Sequence, residues 1–343
     1  MLYRKLQCTM MCMMLILSCL LPGCGDSKEV KLPERTMPTE SEQTESLPDE
    51  TASPTEITDA VLLPETAEPT AAEETVHTEE YDEEMMDPTC KLELLQNPQP
   101  DDFVEIQQYI PDIYVELKYA STDNFTGEKI YSFEEAYLRY STVMKLQKVC
   151  EVLKEQGYYL KIWDAYRPSA AQFRLWEICP NPQYVADPNK GFSNHTRGNA
   201  LDVTLVDAWG REVPMPTGFD DFSEAANRDY RFCSEEARRN ALLLETVMEE
   251  NGFQGYWGEW WHYSDTQKFE PEKVFDPGVI SIWYPNCNAF ISLRERASGY
   301  SDVVEKIYLG EPFVVLGYTG QFAMAQYNGL RGYVLRSYIQ STP

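Results

Sequence analysis

At 343 residues the chain is long enough for two domains, since a single hydrophobic core seldom grows past roughly 250 to 300 residues. It carries 56 acidic against 29 basic side chains, a net charge of -27, with no basic patch, which argues against nucleic acid as a partner because a phosphate backbone is held by clustered Lys and Arg. About 17 units of that net negative charge fall between Asp26 and Asp87, so the acidity belongs to one segment and not to a fold.

Arg4 and Lys5 precede an apolar stretch from Met10 to Leu21, which reads as an export signal too short for a comfortable membrane span. It ends in Leu21-Pro22-Gly23-Cys24, which resembles the bacterial lipobox and predicts a processed signal over residues 1–24 with a lipid on Cys24. The lipobox places the body in an extracytoplasmic, membrane-anchored position; an uncleaved anchor or an ordinary signal cut nearby is the alternative, and either way the body is exported. Residues 25–100 are rich in Pro, Thr, Ser and Glu and nearly free of aromatic residues. Such a segment cannot bury enough apolar surface to offset chain entropy and reads as a disordered, extended acidic stalk that includes His77. Beyond the signal, Cys90, Cys150, Cys179, Cys233 and Cys287 form no CxxC motif, and their odd number leaves at least one thiol unpaired. Cys150, in an apolar helical pattern, is expected to be a buried structural residue.

Apolar and aromatic density rises at Phe103, and residues 101–280 have the pattern of a mixed α+β domain. Ser132 with Glu135 makes a capping box, predicting a helix that carries Leu146, Val149 and Leu153 on one face until Gly157 ends it. Tyr158 to Trp163 reads as a strand delivering Asp164-Ala165-Tyr166-Arg167-Pro168 to its end. Another helix is predicted from Ser234, with Ala237, Ala241, Leu244 and Met248 on one face, stopping at Gly252. From Asn286 onward short β-like runs lie between Gly and Asn turns: Phe290 to Arg294, Pro312 to Leu316, Phe322 to Gln326 and Gly332 to Leu335. These predict a small β-barrel over residues 286–343.

The chemistry is concentrated in Ser193-Asn194-His195-Thr196-Arg197-Gly198-Asn199-Ala200-Leu201-Asp202 and Gly258-Glu259-Trp260-Trp261-His262, which hold two of the chain's three histidines. If Ala200 to Leu205 is a strand, Asp202 shares a face with the small residues Ala200 and Thr204 while Leu201, Val203 and Leu205 face a core. A carboxylate in that setting is costly unless its charge is compensated, and a metal ion would do so. Glu259 and His262 are three apart, so a flat strand would point them to opposite faces, and a shared site requires a turn or bulge between them. Two imidazoles and one carboxylate leave a fourth position for water, the arrangement of a catalytic zinc site. Glu259 is then a spare carboxylate able to act as general base on that water.

The serine, histidine, glycine, alanine and aspartate of the first string and the Glu-Trp-Trp-His of the second match the pattern of the VanX-type D-alanyl-D-alanine dipeptidases. Tyr119 to Gly127 (YASTDNFTG) and Trp163 to Pro168 (WDAYRP) also resemble that family's early motifs, so the likeness spans about Phe103 to Phe275. The resemblance implies an α+β zinc D,D-peptidase domain with an antiparallel sheet and flanking helices. It implies one zinc per chain on His195, Asp202 and His262, with Glu259 as catalytic base and Arg167 stabilising a tetrahedral oxyanion. A structural salt bridge from Arg167 to Asp164 is the alternative for that residue. For substrate, the resemblance implies Ser193 and an acid at Asp220, or at Asp221, that would hold an ammonium group. The C-terminal pieces Leu293-Arg294, Gly310, Asn328-Gly329, Gly332-Tyr333-Val334 and Ser337-Tyr338 resemble the bacterial SH3-like domain of wall enzymes, which implies cell-wall contact, with packing alone as the alternative. The expected activity is hydrolysis of D-alanyl-D-alanine or related cell-wall peptides. A D,D- or L,D-carboxypeptidase trimming peptidoglycan stems, or a non-catalytic zinc-containing wall-binding protein, are the competing readings.

Overall fold

The computed structural model describes residues 92–191 and 193–343, so the export signal, Cys24, His77, Cys90 and the stalk through residue 91 lie outside the described residues. Strand β1 (Phe103–Glu105) runs into a short helix α1 (Ile106–Tyr109), and β2 (Tyr114–Val115) follows. Strand β3 (Tyr137–Arg139) pairs antiparallel with β1 and turns directly into helix α2 (Tyr140–Glu155). Val143, Leu146, Val149 and Leu153 of α2 are fully buried, each worth roughly 1.5 to 3 kcal/mol. Gly157, at φ 82°, lets the chain reverse into β4 (Tyr159–Asp164).

The helix therefore starts seven residues later than its capping box suggests, its N-cap being Arg139 instead of Ser132. Phe133, Ala136 and Leu138 are buried, and Tyr137–Arg139 is extended, with Phe103 opposite Arg139 and Glu105 opposite Tyr137. Glu135 accepts from the Glu134 amide instead of closing a box with Ser132. Burying this apolar run against β1 outweighs the local helix signal, as tertiary context commonly does.

Helix α3 (Ser169–Ile178) and the four-residue α4 (Asn194–Arg197) lead to β5 (Ala200–Val206), every residue of which is buried. Helix α5 (Glu235–Glu250) begins where predicted: the Ser234 hydroxyl accepts from the Ala237 amide at 3.1 Å, and Ala237, Ala241, Leu244 and Met248 are all buried. Strands β6 (Phe253–Tyr256) and β7 (Glu259–Asp265) complete a five-stranded sheet of order β2-β4-β5-β7-β6. That sheet is antiparallel except at its edge, where β2 runs parallel to β4. The chain between those two strands includes β3 and α2 and so crosses over rather than forming a hairpin, which an all-antiparallel expectation does not allow for.

The remaining strands, β8 (Ser281–Pro285), β9 (Phe290–Arg294), β10 (Val303–Tyr308), β11 (Phe313–Thr319), β12 (Phe322–Tyr327), β13 (Leu330–Leu335) and β14 (Ile339–Gln340), form one antiparallel sheet of order β10-β9-β13-β12-β11-β8-β14. Register shifts between Val303 and Glu305 and between Val315 and Gly317 bend it. It curls around its own core of residues such as Leu293, Ile307, Val315 and Val334. This module begins at Ser281 rather than Asn286. The stalk assigned to residues 25–100 also ends earlier than composition implies: Leu92 is buried, the Gln96 amide donates to the Gly329 carbonyl at 2.8 Å, and the Gly329 amide donates to Glu93 at 3.0 Å.

Candidate metal centre and active site

Three adjacent strands bring the chemistry into one rung. In the ladder Asp202 of β5 stands opposite Asp164 of β4 on one side and His262 of β7 on the other. Leu201, Val203 and Leu205 point into the core, as period two requires. The third group comes from α4: Ser193 caps it by accepting from the His195 amide at 3.2 Å, and Gly198 ends it at φ 74°. A Cβ on Gly198 would stand 2.3 Å from the Phe103 ring, so only glycine allows this tight return into β5.

His195 Nε2 lies 3.1 Å from His262 Nδ1 and 3.4 Å from Asp202 Oδ1, and His262 Nδ1 lies 2.9 Å from the same oxygen. Zinc bonds of about 2.0 to 2.1 Å at tetrahedral angles require donor separations of roughly 3.3 Å, so the donor set fits that ion. The far side of His195 supports this. Its Nδ1 donates to the Ala165 carbonyl at 2.8 Å, which leaves the Nε2 lone pair directed at the other two donors. Although burial opposes ionisation of Asp202, the two imidazoles hold its carboxyl well below the usual carboxylate range.

Glu259 stands just outside this triangle, its Oε2 3.9 Å from His262 Nδ1. The irregularity expected from the three-residue spacing is present: Gly255 pairs with Tyr263 but the next residue, Tyr256, pairs with Glu259, so β7 bulges through Trp260–His262. The bulge turns Glu259 and His262 to the same cleft, with Trp261 in its wall and Trp260 buried away from it. Burial pushes the Glu259 carboxyl up to about 7, with Asp202 adding to the rise and His262, Arg167 and Arg228 opposing it.

Arg167 is buried and locked. Its Nε and one terminal nitrogen donate to Asp164 Oδ2, the other terminal nitrogen donates to Gln172 Oε1 at 2.8 Å, and the guanidinium lies 4.9 Å over the Tyr119 ring. Asp164 is itself held by Tyr131 Oη at 2.8 Å and the Ala165 amide at 2.9 Å. The salt bridge expected as the alternative for Arg167 therefore exists, and the same side chain also lines the cleft beside Asp202, 3.9 Å away.

The cleft encloses about 360 Å³ and is lined by Ser193, Asp220, Glu259 and the three metal-competent residues, among others. Of the two candidate acids, Asp220 faces it, whereas Asp221 accepts from the Ser223 amide at 2.9 Å. Asp220 has φ 54° and accepts from Tyr119 Oη at 2.8 Å. Burial raises its carboxyl well above the ordinary range despite the Tyr119 hydrogen bond, and Asp202 and Glu259 raise it further. Sequence reasoning did not find the wall formed by residues 182–186 or Tyr256, whose ring meets His262 edge-on at 6.3 Å. The 182–186 loop carries no motif, and Tyr256 could have been suspected only from its nearness to Gly258-Glu259.

A family model described as D-ala-D-ala dipeptidase (peptidase M15) matches residues 99–280. The D-alanyl-D-alanine dipeptidase of Escherichia coli (strain K12) is 41% identical over 162 residues, covering 47% of this chain and 83% of that protein. That of Enterococcus faecium is 32% identical over 195 residues, covering 51% of this chain and 96% of that protein. Among solved structures, the LdcB LD-carboxypeptidase aligns with a TM-score of 0.29 at 21% identity, over 49% of this chain and 70% of that one. The vancomycin-resistance D,D-pentapeptidase VanY, solved with Zn(II), aligns with a TM-score of 0.27 at 18% identity, over 52% and 88%.

Proposed function

The chain belongs to the D-Ala-D-Ala dipeptidase family of zinc peptidases, and from that membership we propose that it hydrolyses D-alanyl-D-alanine or a closely related cell-wall peptide at the cleft between His195, Asp202, His262 and Glu259. The observation that carries the reading is the convergence of three zinc-competent donors with an unligated carboxylate, a buried arginine and a buried acid on one cleft. When bound by His195, Asp202 and His262, zinc supplies Lewis acidity that makes water nucleophilic near neutral pH and polarises the peptide carbonyl. Glu259 takes a proton from the attacking water on its carboxylate and delivers it to the leaving amine nitrogen. Arg167, its fork oriented by Asp164 and Gln172, presents positive charge where the carbonyl oxygen becomes negative.

Asp220 supports a dipeptide over an internal bond. Its carboxyl accepts from the Tyr119 phenol and feels the repulsion of Asp202 and Glu259, and a substrate ammonium would relieve that concentration of acid. Ser193, at the mouth of α4, is the companion group for the substrate's other end. Incubating the protein with D-alanyl-D-alanine and with stem pentapeptide, and quantifying free D-alanine, tests the reading. Preferential release from the dipeptide supports it; release from the pentapeptide alone would make the protein a carboxypeptidase, and no release from either would sink the enzymatic proposal.

Location belongs to the same proposal. The export signal, Cys24 as lipid attachment point and the acidic stalk support an enzyme tethered at the cell surface. The turn motifs of residues 286–343 support an SH3-like module that contacts the wall. Fractionation of the Cys24→Ala protein tests the tether, since recovery in the membrane fraction with a lipid attached would refute it.

A further inference from the structure

The bulge that makes the site possible leaves backbone carbonyls turned out of the β6–β7 ladder inside the protein, where each needs a donor. Three of them, those of Tyr256, Trp260 and His262, meet one side chain. Arg228 is buried, its own amide donates to the Trp257 carbonyl at 3.0 Å, and its guanidinium reaches both limbs of the turn. Nε donates to the Tyr256 carbonyl at 2.8 Å. One terminal nitrogen donates to the Trp260 carbonyl at 3.0 Å and the His262 carbonyl at 2.8 Å, and the other donates to Tyr263 Oη at 3.1 Å. The fork also stacks 4.4 Å from the Tyr263 ring. Space for it is provided by Gly255, where a Cβ would stand 2.3 Å from the guanidinium carbon.

We propose that Arg228 is a positioning residue of the active site: by clamping the carbonyls of Tyr256, Trp260 and His262 it sets the backbone angle that turns the Glu259 carboxylate and the His262 imidazole onto one cleft. The inference rests on the proposed function for its catalytic consequence, but its structural core concerns the metal donors alone. Arg228 touches neither substrate nor the reacting atoms. It is suited to the task because a planar fork with five N–H donors can satisfy several fixed carbonyls at once, whereas an ammonium on a flexible stem cannot hold the same geometry.

The test uses the full chain with Arg228→Lys and Gly255→Ala. The first keeps the charge and loses the fork; the second keeps the fork and displaces it. Both are expected to weaken zinc binding by roughly 10- to 100-fold, as loss of groups that orient ligands generally does. Both should also change the visible spectrum of the cobalt(II)-substituted protein and lower kcat for D-alanyl-D-alanine more than they raise KM. Lys145→Met is the control for stability alone: it removes an ion pair to the buried Asp265 at the far end of β7 and should keep wild-type zinc affinity and cobalt spectrum. Should Arg228→Lys fail to fold, Gly255→Ala decides. Wild-type zinc affinity and spectrum in Gly255→Ala, or an equal loss in Lys145→Met, would overturn the proposal. If the wild-type protein cleaves no D,D-peptide the functional reading fails, while zinc affinity and the cobalt spectrum still decide the role of Arg228.

Discussion

The ion pair of Arg167 with Asp164 and its proposed oxyanion role can be separated by a double substitution. Asp164 is fully buried, and Arg167 is its cationic partner through two donors, so Arg167→Ala leaves a buried carboxylate without a counter-charge. Breaking a buried pair in this way costs about 3 to 5 kcal/mol. Loss of one oxyanion donor should also slow turnover by roughly 10²- to 10³-fold. Asp164→Asn keeps acceptors for Tyr131 and the Ala165 amide while removing the charge. The Arg167→Ala/Asp164→Asn protein should thus regain most of the lost stability in a denaturant titration, keep zinc near one per chain, and remain slow. Arg167→Lys should rescue little, because one ammonium cannot reproduce the fork that spans Asp164 and Gln172. Turnover in the double variant within about threefold of Asp164→Asn alone would refute the argument, and Arg167 would then be a structural ion pair only.

Glu259→Ala should keep its zinc, since the carboxylate lies outside the donor triangle, yet lose roughly 10²- to 10⁴-fold in kcat; undiminished turnover would remove Glu259 from the mechanism. Chelation should abolish activity and added zinc restore it, and elemental analysis should show lower occupancy in His195→Ala but not in His77→Ala. Gly198→Ala should destabilise the fold by at least about 1 to 2 kcal/mol and weaken zinc binding, because φ 74° and the Phe103 ring both oppose a Cβ there; native stability by thermal unfolding would contradict this. Burial raises the Glu116 carboxyl, but hydrogen bonds from Lys118 and Lys161 more than offset this and hold it below its ordinary value. A depressed folded pKa contributes stability above the unfolded value of 4.5 that is lost as pH falls through the folded pKa, so Glu116→Gln should lower Tm at pH 7 by the equivalent of at most about 1 kcal/mol and show a smaller deficit at pH 3. An equal deficit at both pH values would show that the effect is not electrostatic.

Elements whose signals are local were legible in the sequence. Helix α5 carries its apolar face within sixteen residues and its cap at Ser234 just before them, and β5 alternates Leu201, Val203 and Leu205 with the smaller or polar Ala200, Asp202 and Thr204. Elements defined by a distant partner were not. Tyr137–Arg139 became a strand because Phe103–Glu105 lies beside it, against a capping signal at Ser132, five residues upstream. Strand β2 has two residues, too few for any periodicity, and owes its place to a parallel contact with Lys161 and Ile162. Strand β10 was missed because five of its six residues are exposed, so Val303 to Tyr308 lacks the alternation that marks a half-buried strand.

The site divides along the same line. His195, Asp202, Glu259 and His262 were legible because metal chemistry restricts which residue types can serve, and the three-residue spacing of Glu259 and His262 already required a bulge. What holds the bulge was invisible. Arg228 sits among Asn227, Asp229 and Arg231, a polar run that reads as a solvated turn, and nothing in its type distinguishes it from its neighbours. Its work is done through backbone carbonyls, which every residue carries, and so leaves no trace in residue identity on the accepting side. The only sequence correlate is Gly255, a missing Cβ in the middle of a strand, which marks close approach by another group without saying which. Residues that supply chemistry can be found by type and spacing, whereas those that aim it through the backbone are found only once the carbonyls they satisfy have positions in space.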